Sequence, residues 1–115
     1  MKRGEIWVAN LNPSRGAEPG KIRPVLVILA DEFIQAGIET IIVLPLTSRL
    51  NPAWEPRRPM LAAREGLRQR SQVLVDQPRA LDRSKFGEGP LAMLGPKEMA
   101  AVERSLSVTL GLPYG

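Results

Sequence analysis

The 115-residue sequence contains neither cysteine nor histidine. The first absence excludes a disulfide framework, thiolate metal ligation and a cysteine nucleophile. The second removes the commonest general base, the Ser-His-Asp constellation and nearly all transition-metal ligation. Aspartate is scarce: Asp31, Asp76 and Asp82 are too scattered to suggest a two-metal carboxylate cluster, and the glutamates show no metal-site spacing. No metal and no cofactor is therefore expected. The sequence has no Walker loop, no GxGxxG and no GxSxG. Its longest apolar run, Val25 to Ala30, is far too short to span a bilayer. Met1-Lys2-Arg3-Gly4-Glu5 has charge but no apolar region behind it, so no signal peptide is read and a soluble, cytoplasmic protein is the expectation.

What the chain has in excess is arginine. Sixteen basic residues stand against 12 acidic ones, a net charge of +4, and twelve of the cations are Arg. The planar guanidinium suits phosphate oxygens, so the balance points to a polyanionic partner, nucleic acid foremost. At this length one domain, residues 1–115, is expected, with about two-thirds of the unfolded surface available for burial.

The hydrophobic pattern is that of short strands followed by one helix. Gly4 to Asn10 alternates in part and reads as a strand; Leu11 to Ile22 collects Pro, Gly, Asn and Ser and reads as a long loop. Val25–Leu29 and Thr40–Leu44 are β-branched runs of fully buried strands. Pro45 cannot donate to a ladder, which places it at an edge or a bulge. Met60–Ala63 and Ser71–Asp76 are further strands, the latter continuing through Ala80-Leu81. From Pro96 the period becomes helical. Met99, Val102, Leu106 and Leu110 share a face, with Pro96 at the first helical position and Gly111 as the stop. Without βαβ alternation, the expected fold is mainly β: a small curled antiparallel sheet or SH3-like, partly open barrel with a C-terminal α-helix.

Two places can carry chemistry. In Gly20-Lys21-Ile22-Arg23-Pro24 a flexible loop feeds a buried strand, and Arg23 is either a ligand contact held at the strand entrance or a solvated arginine. In Leu46-Thr47-Ser48-Arg49 the hydroxyls either meet phosphate oxygens or start a turn. Trp54, in a Pro-rich loop with Arg57 and Arg58, either stacks on a base or folds onto apolar surface. Trp7 reads as core.

Several blocks in order along the chain resemble the MazF/PemK/Kid toxin family. They are Arg3-Gly4-Glu5-Ile6-Trp7, Gly20 with Arg23-Pro24-Val25-Leu26-Val27-Ile28, Val43-Leu44-Pro45-Leu46-Thr47-Ser48, Ser71 through Arg79, and Leu110-Gly111-Leu112. The resemblance implies a homodimeric, metal-independent endoribonuclease, the toxin of a toxin–antitoxin pair. It would cut single-stranded RNA through the 2′-hydroxyl, leave 2′,3′-cyclic or 3′-phosphate and 5′-hydroxyl ends, and be neutralised by an acidic MazE-like antitoxin. It implies catalytic roles for Arg23 and Thr47. Ser48, Arg49, Trp54, Asp76, Gln77 and Arg79 are then RNA-binding candidates, as is Glu18, which can also accept a proton or remain a solvated loop glutamate. Some members are assigned an Arg-x-Asp pair where this chain has Leu74-Val75-Asp76, so the chain departs from that version. The alternative is a gyrase-binding toxin of the same CcdB-like fold, whose function sits at an aromatic C-terminal end; here that end carries Tyr114.

Overall fold

The computed structural model describes residues 1–18 and 20–113. Strands β1 (Glu5–Asn10) and β2 (Ile22–Val27) pair antiparallel, Ile6 opposite Leu26 and Asn10 opposite Ile22. After the short helix α1 (Asp31–Gln35), β3 (Thr40–Thr47) pairs with β2, Val25 opposite Pro45 and Val27 opposite Val43. Then follow β4 (Met60–Leu61), β5 (Ser71–Val73), β6 (Arg79–Asp82), β7 (Ala92–Met93) and helix α2 (Pro96–Leu110). The sheet runs β4-β5-β3-β2-β1-β7, with β6 also on β3. It is a curled antiparallel sheet with a C-terminal helix, the expected fold class.

The strand β3 is central rather than at an edge, and its second edge is shared. β6 pairs with Thr40 to Val43, and β5 pairs with Leu46 and Thr47. Pro45 lies where one partner ends and the other begins, and its carbonyl accepts from Leu74 N at 2.9 Å. A residue's N–H and C=O point to the same edge of a strand, so the donor that proline lacks would face this break in the ladder. The same break corrects the single strand expected from Ser71 to Asp76. β5 ends at Val73, a turn closes from Gln77 N to Leu74 O at 3.0 Å, and β6 begins afresh after Pro78.

Alternate residues of the central strands enter two separate cores. Ile6, Leu26, Leu44 and Leu46 join one cluster, which α2 covers through Val102, with Met99 and Leu106 packed alongside. Val25, Val27, Ile41 and Val43 join the other, closed by Ile34 of α1, Leu81 and Leu11, with Trp7 at its margin. Covering on both faces is what turns β2 and β3 into continuous apolar runs. Each fully buried Leu, Ile or Val contributes about 1.5–3 kcal/mol. Ile42 departs from the expected full burial: at 39% exposure it marks an uncovered end of its face.

Helix α2 starts and stops where its sequence directs. Pro96 occupies the first turn, and Glu98 accepts from Gly95 N at 3.3 Å. Gly111 closes the helix at φ 70°, a left-handed conformation natural to glycine, with Leu112 N bonded to Ser107 O at 2.8 Å. Leu110, expected on the buried stripe, is exposed because the last turn runs past the core. Neither this helix nor any other among the described residues is long and apolar enough to cross a membrane.

An ion pair ties the helix start to the β4–β5 connection. Both oxygens of Glu98 accept from Arg64, Nη2 to Oε2 at 2.6 Å. Hydrogen bonding from the Arg64 guanidinium holds the Glu98 carboxyl below its ordinary 4.5, against the opposing pull of burial. A depressed folded-state pKa stabilises at pH values above 4.5 and loses that contribution as pH falls through the folded-state value. Glu98→Gln should therefore destabilise the protein by about 0.5–1 kcal/mol at neutral pH, the pair being partly exposed. In urea denaturation the gap from wild type should narrow as pH falls below 4.5; a gap independent of pH would contradict the role given to this pair.

Candidate nucleic-acid cleft

The start of β2 and the end of β3 meet at one end of the sheet. Continuing the Val25–Pro45 register by two residues sets Arg23 across from Thr47. Lys21, at φ 66°, turns the chain into β2, and Asn12 Oδ1 accepts from its N–H at 2.9 Å. A Cβ at Gly20 beside it would lie 2.5 Å from Ser14 Oγ, so a larger residue there would have to turn the Ser14 side chain aside. The Gly20 carbonyl accepts from Arg23 Nε at 3.1 Å, and the Leu46 carbonyl lies 3.5 Å from Nη1. The half-buried Arg23 is thus tied through Nε and Nη1 to two carbonyls, and its Nη2 makes no hydrogen bond among the described residues. Thr47 Oγ1 accepts from Arg49 N at 3.1 Å, a turn that fixes the hydroxyl and leaves its proton available for donation.

These two residues open onto a cleft of about 840 Å³ whose other walls are the segments around Ser48–Arg58 and Gly66–Gln69. Lys21, Arg23, Arg49, Arg58 and Arg68 line it, and among the described residues no aspartate or glutamate does. Cations gathered around a concave surface focus positive potential and raise the local concentration of anions. Chemically the cleft offers many N–H donors and hydroxyls, and its described lining offers a divalent cation no carboxylate.

One wall is built by two residues that the sequence did not single out. Gln72, 1% exposed, holds the Asn51–Arg58 segment to β5. Its Nε2 donates to the carbonyls of Asn51 and Arg58 at 3.0 and 2.9 Å, and its Oε1 accepts from Asn51 N at 2.8 Å. Arg58 is clamped in turn. Its Nε and Nη2 donate to the two oxygens of Asp76 at 2.8 and 2.7 Å, and its guanidinium carbon lies 4.5 Å from the centre of the Trp54 ring. The hydrogen bonds from Arg58 hold the Asp76 carboxyl below its ordinary value.

The candidates are distributed unevenly about this cleft. Arg23, Thr47, Ser48, Arg49 and Gln77 line it. Asp76 and Trp54 touch it through Arg58, and Trp54 therefore lies against a guanidinium as well as being 41% exposed. Glu18 is exposed and accepts from Arg15 N at 2.8 Å, outside the lining. Arg79 donates to the Leu11 carbonyl at 2.8 Å and fastens the first loop, also outside the lining. Tyr114 lies outside the described residues. Gln72 could have been suspected as a polar residue within an otherwise apolar strand. Arg58 carried no local signal, because Asp76 is 18 residues away.

The sequence profile of the PemK-like, MazF-like toxins of type II toxin–antitoxin systems matches residues 2–110. The chain belongs to this family. Endoribonuclease MazF of Staphylococcus saprophyticus is 34% identical over 113 residues, covering 97% of this chain and 92% of that protein. The fold superimposes on MazF from Deinococcus radiodurans with a TM-score of 0.82 at 30% identity, over 97% of each chain. A MazE–MazF structure from the same organism matches with a TM-score of 0.75 at 29% identity, over 98% of this chain and 97% of that one.

In this toxin the Gln72 clasp is open to direct test. Gln72→Ala would strand the Asn51 and Arg58 backbone groups, at a cost of about 1–3 kcal/mol. Thermal melts should show that loss. A Tm equal to wild type would mean that the segment is held by other contacts.

Proposed function

We propose that this chain is an endoribonuclease toxin that cuts single-stranded RNA in the basic cleft without a metal ion. The observation that carries the reading is the convergence of Arg23 and Thr47 at the ends of paired strands, in a cleft lined by cations and, among the described residues, by no carboxylate. RNA brings its own nucleophile. The 2′-hydroxyl gives up its proton to solvent and its oxygen bonds to phosphorus, the bond from phosphorus to the 5′-oxygen breaks, and that oxygen takes a proton from solvent. The products are a 2′,3′-cyclic phosphate, or the 3′-phosphate from its hydrolysis, and a 5′-hydroxyl.

Negative charge builds on the non-bridging oxygens as the bond forms. Arg23 meets it with the N–H groups not engaged by Gly20, and Thr47 adds its hydroxyl proton. An arginine with a pKa above about 12 acts here by electrostatics and not as a base. Each well-placed donor contributes about 3–4 kcal/mol to the transition state, or about 10²–10³ in rate. Ser48, Arg49 and Gln77 line the path of the RNA. The family membership and the likeness to MazE–MazF support an acidic MazE-like antitoxin segment as the protein occupant of the same cleft, bound to a toxin homodimer.

Cleavage of a long single-stranded RNA in EDTA tests this reading. Discrete cuts with 5′-hydroxyl ends are expected in wild type, with a loss of about 10²–10³ in rate for Arg23→Ala. Thr47→Ala should slow cleavage at nearly unchanged RNA affinity. Inhibition by EDTA that a divalent ion reverses would overturn the metal-independent mechanism, and undiminished cutting by Arg23→Ala would overturn the assignment of the arginine.

A further inference from the structure

Of the five cations lining the cleft, Arg58 is the one with an ion-pair partner among the described residues. Asp76 cancels its charge, which removes much of the attraction such a group would have for phosphate. What Asp76 leaves intact is directionality. The Nε–Nη2 edge of the guanidinium is occupied by the carboxylate and one face lies against Trp54, so the plane is locked. The side chain is only 17% exposed. The end-on edge, with one N–H from Nη1 and one from Nη2, is the pair of parallel donors left for a ligand in the cleft.

We propose that Arg58 reads one base of the RNA, a base presenting two adjacent hydrogen-bond acceptors, and that Asp76 and Trp54 are positioning residues for it. Guanine offers such a pair at O6 and N7. In an unpaired strand cytosine offers one at N3 and O2. Adenine and uracil set a donor beside each acceptor on the edges they expose, so neither can take both N–H groups. This inference rests on the nuclease reading and adds a specificity determinant to the same cleft. It gives Asp76 and Trp54 work that does not require either to touch RNA.

The test is to sequence the cut sites that wild type, Arg58→Ala, Arg58→Lys and Asp76→Asn make in a randomised single-stranded RNA, at two salt concentrations. Wild type should show one position restricted to G or C, by about 10- to 100-fold over A and U. All three variants should relax that position alone; Arg58→Lys keeps the cation but cannot form the fork, and its melting curve guards against a misfolded alanine variant. If G is the base, substitution by 7-deazaguanosine should weaken cutting; if C, it should have no effect. Uniform weakening at every site with a shallower salt dependence would identify a phosphate contact and overturn the proposal. So would variants that cut with wild-type base preference. Wild type that cuts no RNA would overturn the nuclease reading itself, and this proposal with it.

Discussion

The geometry of this protein depends on how β3 divides one of its edges between two partners. A central strand must satisfy backbone donors and acceptors on both sides, and β3 does so against β2 along one edge and against β6 and then β5 along the other. The change of partner falls at Pro45, the residue with no donor to satisfy. Beyond that point β3 runs on to Thr47, and its end lies beside the start of β2. Arg23 and Thr47 lie side by side at the mouth of one cleft for that reason, although 24 positions separate them in the chain.

The charges around the cleft fall into two kinds. Arg64 is engaged by Glu98 and serves the fold, tying a loop to the first turn of α2. Arg23 and Arg49 line the cleft without an ion-pair partner among the described residues, so their field reaches whatever enters it. Arg58 stands between: paired like a structural arginine yet placed in the cleft wall. The same residue type therefore supplies structure, attraction and direction, according to whether a carboxylate meets it and at which edge.

Much of the fold was legible because its signals are local. The apolar runs of β2 and β3 reflect burial on two faces, and Pro96, the Met99–Val102–Leu106 spacing and Gly111 mark α2 from start to stop. Elements too short for a period escaped, notably α1 at five residues and β7 at two. The division of Ser71–Asp82 into two strands escaped too, since only the pairing with β3 separates them. Arg23 and Thr47, which line the cleft, were singled out through the family resemblance. The Arg58–Asp76 pair and the Gln72 clasp were not, because those partners are 14 to 21 residues apart in sequence.

The sequence by itself determined that this is a small β-rich chain rich in arginine, without thiol or imidazole chemistry, closed by one amphipathic helix. Those properties follow from composition and from periods of two and 3.6, which need no knowledge of neighbours. The tertiary structure decided which arginines are neutralised and which face the cleft, and that Trp54 carries a guanidinium on its ring. It decided too that Pro45 sits inside the sheet. Apart from the contact of Trp54 with Arg58, four residues on, each of these is a relation between residues far apart in the chain. Coulomb forces and hydrogen bonds act through space, so only the folded arrangement assigns them.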